Sequence, residues 1–401
     1  MTKEKGRKKR IAYISSPDLA DCDIPLLQEM AKEAEVVYIL EVIDKSRRKT
    51  IIDIDKLKGR GDLFPFSDYP GLKALESFID TRKAYVLNMP GHHGFSPANL
   101  LAVYRMVRFL RKGNFDLIHI TWPPRYGEFL IYVLWRKLIL SVHDPLPHSS
   151  EDGKLNRFHR KICFSILRNF VLLNKTQETQ FIDTYNLQGK NIFISMLGVY
   201  THLRTTKREP IDKSGYVLFF GSIKPHKGVE YLCEAMKTVH EKLIDSRLII
   251  AGKGDMYFDI QPYVRGGYVE LLNHYISDNL LAALIANALF VVCPYVDATQ
   301  SGVVMSAFAL NVPVIATDVG GLPEMVEHGR HGLIVPPRDS NALASAMCSL
   351  IDNPKVLSDM RENIRYDFSR GARSWRSIAK GMLDIYDSIS SKTNIKLKAY
   401  I

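Results

Sequence analysis

The 401 residues carry 54 Lys+Arg against 43 Asp+Glu, a net charge of +11, and 46% of them are hydrophobic. That length exceeds one ordinary core and predicts two domains of roughly 150–200 residues each. The longest apolar stretch, 129–142, is interrupted by Arg136 and Lys137 and falls short of the ~20 apolar residues of a membrane span, and the basic cluster at 3–10 precedes too short an apolar run (11–14) for a signal peptide.

Short β-branched runs alternate with longer amphipathic stretches, the signature of βαβ units and a mostly parallel sheet. In the first half the strands are expected at 11–15, 36–42, 84–88, 117–121, 139–142, 170–173 and 192–195. Helices are expected at 22–34, 97–112, 154–168 and 176–186. The 97–112 segment puts Leu100, Val103, Tyr104, Val107 and Leu110 on one face, the spacing of a helix packed on a sheet. The polar, charged stretch 202–214, with Pro210, reads as a linker.

A second cycle follows: strand 216–220, helix 227–243, strands 247–251 and 268–272, helix 278–287, strand 289–293, helix 301–310, strand 313–316, helix 322–327 and strand 332–335. Helices at 340–352, 354–367 and 374–390 close the chain. The expected fold class is α/β, with two doubly wound, Rossmann-like domains facing a central cleft. Open sheets of this kind bind ligands beyond the carboxyl ends of their strands.

Two stretches of the second cycle are suited to one anion. In 219–228 (FFGSIKPHKG), Gly221 ends a strand, Lys224 and Lys227 follow in a stiff turn at Pro225, and Gly228 opens a helix. In 294–324, Thr299, Gln300, Ser301 and Gly302 precede the apolar run starting at Val303. A helix start offers unpaired N–H groups and the positive end of the dipole, which with two lysines suits a diphosphate. Ser301 is placed to cap the helix or meet a phosphate oxygen, and Ser306, one turn in, to reach a ribose hydroxyl. Glu324 reads as a charge complementing a helix start.

The order FFGSIKPHKG, AGKGD (251–255), PY…TQSGVVMSAFA, PVIATDVGGLPE and HGLIVPPRD resembles the second domain of family-four retaining glycosyltransferases of the GT-B fold, over 215–352. The first half resembles the acceptor domain more loosely, through VHDPLPH (142–148) and LGVY (197–200). The resemblance implies three parts: an acceptor-side domain over 1–205, a nucleotide-sugar domain over 206–375, and a C-terminal helical segment, 376–401, packing back toward the first. It implies Lys227 on the donor diphosphate, with Lys224 substituting for the arginine usually found where Ser222 stands. It implies His143, or less directly His148, beside the transferred sugar. Donor contacts fall on Gly221, Ser222, Lys224, Lys227, Gln300, Ser301, Gly302, Val303 and Ser306, and the catalytic pair on His143 and Lys227. The family's two glutamates, eight apart, are replaced by Ala298 and Ser306, which leaves Asp297 or Gln300 to meet the sugar. The family's glycine-rich loop after the first strand is replaced by Ser15-Ser16-Pro17-Asp18.

The function so implied is hexosyl transfer from a nucleoside diphosphate sugar to a hydroxyl of a lipid-linked or saccharide acceptor, in cell-surface polysaccharide or glycolipid synthesis. No metal or other cofactor is expected, because no acidic pair with metal-ligand character is present. A nucleotide-sugar epimerase and a non-catalytic nucleotide-binding subunit are the competing readings. Five widely spaced cysteines without a CxxC pair read as reduced thiols of a cytoplasmic protein. Residues 1–200 hold 31 Lys+Arg and 22 Asp+Glu (+9), while 201–401 hold 23 and 21 (+2). Clusters at 3–10, 45–49, 105–112 and 157–161 carry the excess. No zinc finger, basic helix register or aromatic-basic motif accompanies them, so nucleic acid is not the expected partner. A peripheral seat on an anionic membrane, at its inner face, competes with a plain solvated surface.

Overall fold

The computed structural model describes residues 7–49, 51–59, 61–89, 96–124, 126–145 and 154–390. The chain divides into two units. The first comprises the described residues up to Leu173, with Glu178–Leu197 and Trp375 onward; the second comprises Asn174–Gln177 and Gly198–Ser374.

The first unit is built on an eight-stranded sheet. Its spatial order is Asn191–Ile194, Asn169–Leu172, Leu138–Val142, Leu117–Ile120, Arg10–Ser15, Glu35–Ile43, Ala84–Met89 and Leu63–Pro65. All neighbours pair in parallel except the last, an antiparallel edge. The inner strands are largely buried on both faces, which is why they read as continuous apolar runs. On one face lie the helices Pro97–Lys112, Lys154–Ile166 and Glu178–Tyr185 and the 3-10 segment Tyr126–Leu134, packed over Ile14, Ile39, Ile120 and Leu140.

Ser96 caps the helix Pro97–Lys112 by accepting from the Asn99 N–H at 3.2 Å, and Pro97 occupies its first position. Its buried face is Asn99, Ala102, Val103, Met106, Val107 and Leu110. Tyr104, expected inside, points out and is 54% exposed. The smaller Ala102 sits against the sheet instead, so the contact face is rotated from the expected one.

On the other face lie Ala20–Met30 and the last helix, Trp375–Ser390, which buries Ile378, Ala379, Met382, Ile385 and Tyr386. The Tyr386 hydroxyl bonds Nδ1 of the fully buried His119, whose Nε2 meets the Ser141 hydroxyl at 2.8 Å. Nearby, the buried Asp23 carboxylate accepts from the Tyr13 hydroxyl at 2.7 Å and from the Ser15 hydroxyl. The turn Ser15-Ser16-Pro17-Asp18 is thereby held by a buried carboxylate.

The second unit carries a six-stranded, all-parallel sheet in the order Val269–Leu272, Leu248–Ala251, Tyr216–Phe220, Ala288–Cys293, Val314–Thr317, Gly332–Val335. From Tyr216–Phe220 the chain winds outward one way. From Ala288–Cys293 it winds the other way. The loops leaving these two adjacent strands therefore diverge at the switch point, where doubly wound sheets open a crevice.

A candidate phosphate-binding site at the switch point of the second unit

The two diverging loops are 221–228 and 294–301, the stretches singled out in the sequence. Gly221 leaves its strand at φ +114°, and its N–H bonds the Ala251 carbonyl at 3.0 Å. A Cβ there would lie 3.5 Å from Cγ2 of Val303. This contact brings the first loop against the start of the helix Gly302–Ala309.

Pro225–Lys227 makes one 3-10 turn, closed by the Lys227 N–H on the Lys224 carbonyl at 2.9 Å. Gly228 follows at φ +64°, and a Cβ on it would stand 2.1 Å from the Pro294 carbonyl oxygen. Only glycine allows that approach. The His226 carbonyl accepts the Val296 N–H at 2.9 Å, so backbone ties join the two loops.

Lys227 is partly buried, and its Nζ lies 3.7 Å from the centroid of the buried Tyr295 ring. Burial lowers the pKa of this ammonium and the Lys224 charge lowers it further, while Cys293 and Asp297 oppose them. The Tyr295 hydroxyl sits 3.4 Å from the Ser301 hydroxyl. Ser301 is the N-cap of Gly302–Ala309, its Oγ accepting from the Val304 N–H at 3.4 Å. Lys227, Tyr295 and Ser301 thus form a short line that ends at a helix N-terminus. The arrangement suits an anion: a cation stacked on a ring, next to backbone donors and the positive end of a dipole.

The remaining expected donor residues fall around this line in different states. Ser222 and Lys224 are exposed. The Lys224 charge reaches Lys227 electrostatically, but its side chain is not drawn inward with it. Gly302 and Val303 are partly buried. Gln300 has a buried amide Nε2 that makes no hydrogen bond. Such a donor is costly unless something accepts from it. Ser306 donates its hydroxyl to the Gly302 carbonyl at 2.8 Å, so its proton is committed within the helix and only its lone pairs remain to meet a ligand.

Three features escaped the sequence reading. Tyr295, under Lys227, lies inside the PY dipeptide that ends a strand. Tyr200 stands where a Cβ on Gly302 would come 2.8 Å from its hydroxyl oxygen. Glu324 does not simply complement its own helical turn: its carboxylate accepts the N–H groups of Lys175 at 2.8 Å and Thr176 at 2.5 Å, together with the Thr176 hydroxyl.

In the first unit His143 follows the strand Leu138–Val142 and is partly buried. Burial drives its pKa down to about 4, against the pull of Asp144. The ring is therefore neutral near pH 7 and keeps one nitrogen able to accept. His148 lies outside the described residues.

Among the described residues, one group has metal-ligand character: Glu327, His331 and Asp367. His331 and Asp367 are already engaged with each other and with their neighbours. Asp367 accepts from Arg330 at 2.7 and 3.1 Å and from Nε2 of His331 at 2.7 Å, while Nδ1 of His331 accepts the Glu327 N–H at 3.4 Å. This cluster braces the helix Pro354–Ser369 against the turn at 327–331.

The sequence profile of the family described as "Glycosyl transferases group 1" matches residues 214–353, the segment that builds this site. The chain is 27% identical over 320 residues to the phosphatidyl-myo-inositol mannosyltransferase of Mycobacterium leprae, spanning 74% of this chain and 79% of that one. It is 31% identical over 176 residues to the uncharacterized glycosyltransferase MJ1178 of Methanocaldococcus jannaschii, spanning 43% of this chain and 48% of that one. In three dimensions it is similar to Alr3699/HepE of Anabaena, solved in complex with UDP, with a TM-score of 0.64, 18% identity, and coverage of 94% of this chain and 100% of that one.

Proposed function

Because this chain is a group 1 glycosyltransferase with the GT-B fold, we propose that it moves a hexose from a nucleoside diphosphate sugar, with retention, to a hydroxyl of a lipid-linked or saccharide acceptor. The observation that carries the donor half of this reading is the line from Lys227 over Tyr295 to Ser301.

As the bond between the anomeric carbon and the diphosphate breaks, the leaving oxygens gain negative charge. Lys227 and the N–H groups at Ser301 to Val303 are fixed in advance to receive it, so little reorganisation is needed when the charge develops. Lys224, exposed and on a flexible stem, adds its charge when the diphosphate is bound. Gly221 and Ser222 present backbone to the phosphates. The orphan Gln300 amide donates toward the sugar, taking over from the acidic residue that Ala298 replaces. Ser306 accepts from a ribose hydroxyl. His143, neutral, accepts from a hydroxyl of the reacting sugar. Lysine charge and helix dipole take the part a divalent cation plays elsewhere, so we expect turnover without added metal.

Synthesis of cell-surface polysaccharide or glycolipid on the cytoplasmic side of a membrane suits the acceptor class and the basic first half. No helix among the described residues is long and apolar enough to cross a membrane. The test is a thermal-shift panel of nucleoside diphosphates and their sugars, since a ligand bound only by the folded protein raises its apparent stability. A selective shift followed by sugar transfer without metal supports the reading. No shift with any nucleotide ends it.

A further inference from the structure

The chain visits the second unit for four residues, Asn174–Gln177, between the strand Asn169–Leu172 and the helix Glu178–Tyr185 of the first. These four residues form neither strand nor helix. Side chains fix them instead. Asn174 is buried and closes a turn of its own: its Oδ1 accepts the Gln177 N–H at 3.1 Å, and its Nδ2 donates to Oε1 of Gln177 at 3.1 Å. The Lys175 and Thr176 N–H groups go to the two carboxylate oxygens of Glu324, at 2.8 and 2.5 Å, and the Thr176 hydroxyl joins them. A carboxylate that accepts from three donors is a charge-assisted anchor, stronger than its neutral counterpart.

Glu324 stands on a turn that also supports the second loop of the candidate site. Gly320 and Gly321 lead into its one helical turn, Leu322–Met325. The Gly321 N–H donates to the Thr299 carbonyl at 3.0 Å. A Cβ on Gly320 would fall 1.6 Å from the Ala298 carbonyl oxygen. One on Gly321 would fall 2.6 Å from the Thr299 carbonyl oxygen and 3.2 Å from Cβ of Asn174. Gly321 thus touches the loop at 298–299 and the visiting segment at once, and side chains are excluded from both approaches. Gln300 and the helix cap Ser301 come next in the chain. Arg373 donates to the Glu324 and Met325 carbonyls at 2.8 and 3.1 Å, so the shape of the turn has a support apart from the Glu324 carboxylate. That leaves the carboxylate to hold the segment.

We propose that Glu324 is a positioning residue for the nucleotide sugar: it clamps Asn174–Gln177 to the turn that carries Thr299, Gln300 and Ser301, so that order in the segment and affinity at the start of Gly302–Ala309 are coupled. The inference rests on the donor reading and extends it. Coupling of this kind is reciprocal. A ligand that holds 300–302 in place strengthens the bonds to Glu324, and loss of those bonds weakens the ligand. A brace that served the fold alone would show neither effect.

The test is hydrogen exchange followed by mass spectrometry, with and without UDP, GDP and inorganic pyrophosphate. Lys175 and Thr176 are exposed residues whose N–H groups go to Glu324, so their exchange reports the clamp. Bound probe should slow exchange at 175–176 about fivefold or more, together with 221–228 and 299–303. Glu324→Ala should exchange fast at 175–176 with or without probe. It should also raise the KM for donor about tenfold while kcat at saturating donor stays near wild type. Glu324→Gln keeps one acceptor oxygen and should fall between the two; it carries the test if the alanine protein does not fold. Asp367→Asn is the comparison, because it weakens a brace to Arg330 and His331 elsewhere in the second unit. It should lower the melting temperature and leave donor KM and exchange at 175–176 as in the wild type. An equal rise in KM in Asp367→Asn would mean general loosening and overturn the proposal, as would wild-type KM in Glu324→Ala. Protection at 221–228 and 299–303 with no change at 175–176 would overturn the coupling and leave the donor site standing. If no probe protects either loop, the donor reading falls and this inference falls with it.

Discussion

The ammonium of Lys227 sits 3.7 Å from the centre of the Tyr295 ring, and the hydroxyl of that ring reaches the residue that caps the next helix. The cation is thus aimed before any ligand arrives. A lysine on a four-carbon stem in open solvent would have to be ordered on binding, at a cost in side-chain entropy. The stacked one is already ordered.

Lys227→Ala should lower kcat/KM for the nucleotide sugar by about 10²–10³-fold, the usual effect of deleting one preorganised donor to a developing negative charge. Tyr295→Leu should have a smaller effect in the same direction, by letting the ammonium wander. Steady-state kinetics decides, and a Lys227→Ala protein with wild-type turnover would remove the site.

Gln300→Leu separates ligand binding from fold maintenance. The buried amide donor lacks a partner, and leaving such a group unpaired costs about 1–3 kcal/mol. The apolar replacement should leave stability unchanged or raise it, while the KM for donor rises. Urea unfolding and donor titration on the same sample check both halves; a clear loss of stability would mean that Gln300 is structural.

Gly228→Ala should destabilise the second unit by at least about 1–3 kcal/mol, the cost of a non-glycine residue held in the left-handed region. The new Cβ would also press on the Pro294 carbonyl, 2.1 Å away. Because the contact joins the two loops of the site, donor affinity should fall with stability, and nucleoside diphosphate should restore less of the melting temperature than it does in the wild type.

Acidification tests the buried network of the first unit. Asp23 is pushed up to about 7 by burial, against the hydrogen bonds from Ser15 and Tyr13. Between about pH 4 and 7 the folded state therefore holds a proton that the unfolded chain has released, and stability falls as pH rises, by ~1.4 kcal/mol per unit. His119 is driven down to about 3 by burial, with His143 adding to the effect. Below pH 6.5 the unfolded chain takes up a proton that the folded state refuses, so here stability rises with pH by a similar amount. The two slopes oppose each other from about pH 4 to 6.5. Asp23→Asn removes one of them, so between pH 6.5 and 4.5 the variant should lose about 2–3 kcal/mol more than the wild type. All three tryptophans, Trp122, Trp135 and Trp375, belong to the first unit, so intrinsic fluorescence follows its unfolding directly. Parallel pH curves for the two proteins would contradict the assignment.

Most sheet strands were legible because parallel strands buried on both faces need unbroken apolar runs, and Tyr216–Phe220 or Leu248–Ala251 can hardly be read otherwise. The glycine-bounded turn after Phe220 was legible for the same kind of reason: its φ angles admit little else. The stretch from 44 to 83 was not. Its hairpin Arg48–Lys49 with Ile52–Asp53, the edge strand Leu63–Pro65 and a series of 3-10 turns are too short to carry a period, and they are fixed by contacts such as Gly71 against the Asp53 carbonyl. In the candidate site the turn that carries Lys227 and the helix start at Ser301 were readable from local sequence; the outward position of Lys224 was not. Tyr295 under Lys227 was not, since a tyrosine at a strand end looks like core. Nor was the reach of Glu324 to Lys175 and Thr176, because nothing local links positions about 150 apart.

Tyr386 belongs to the last helix, yet its hydroxyl lies in the interior of the first unit, against His119. During synthesis the ribosome therefore releases the first unit's strands long before the second of the two helices on their other face. The second unit, whose strands all lie between 216 and 335, can close while the first is still open on one side. A nascent chain stopped short of residue 375 would leave His119 without its Tyr386 partner and part of that face uncovered, a ready target for chaperones and proteases.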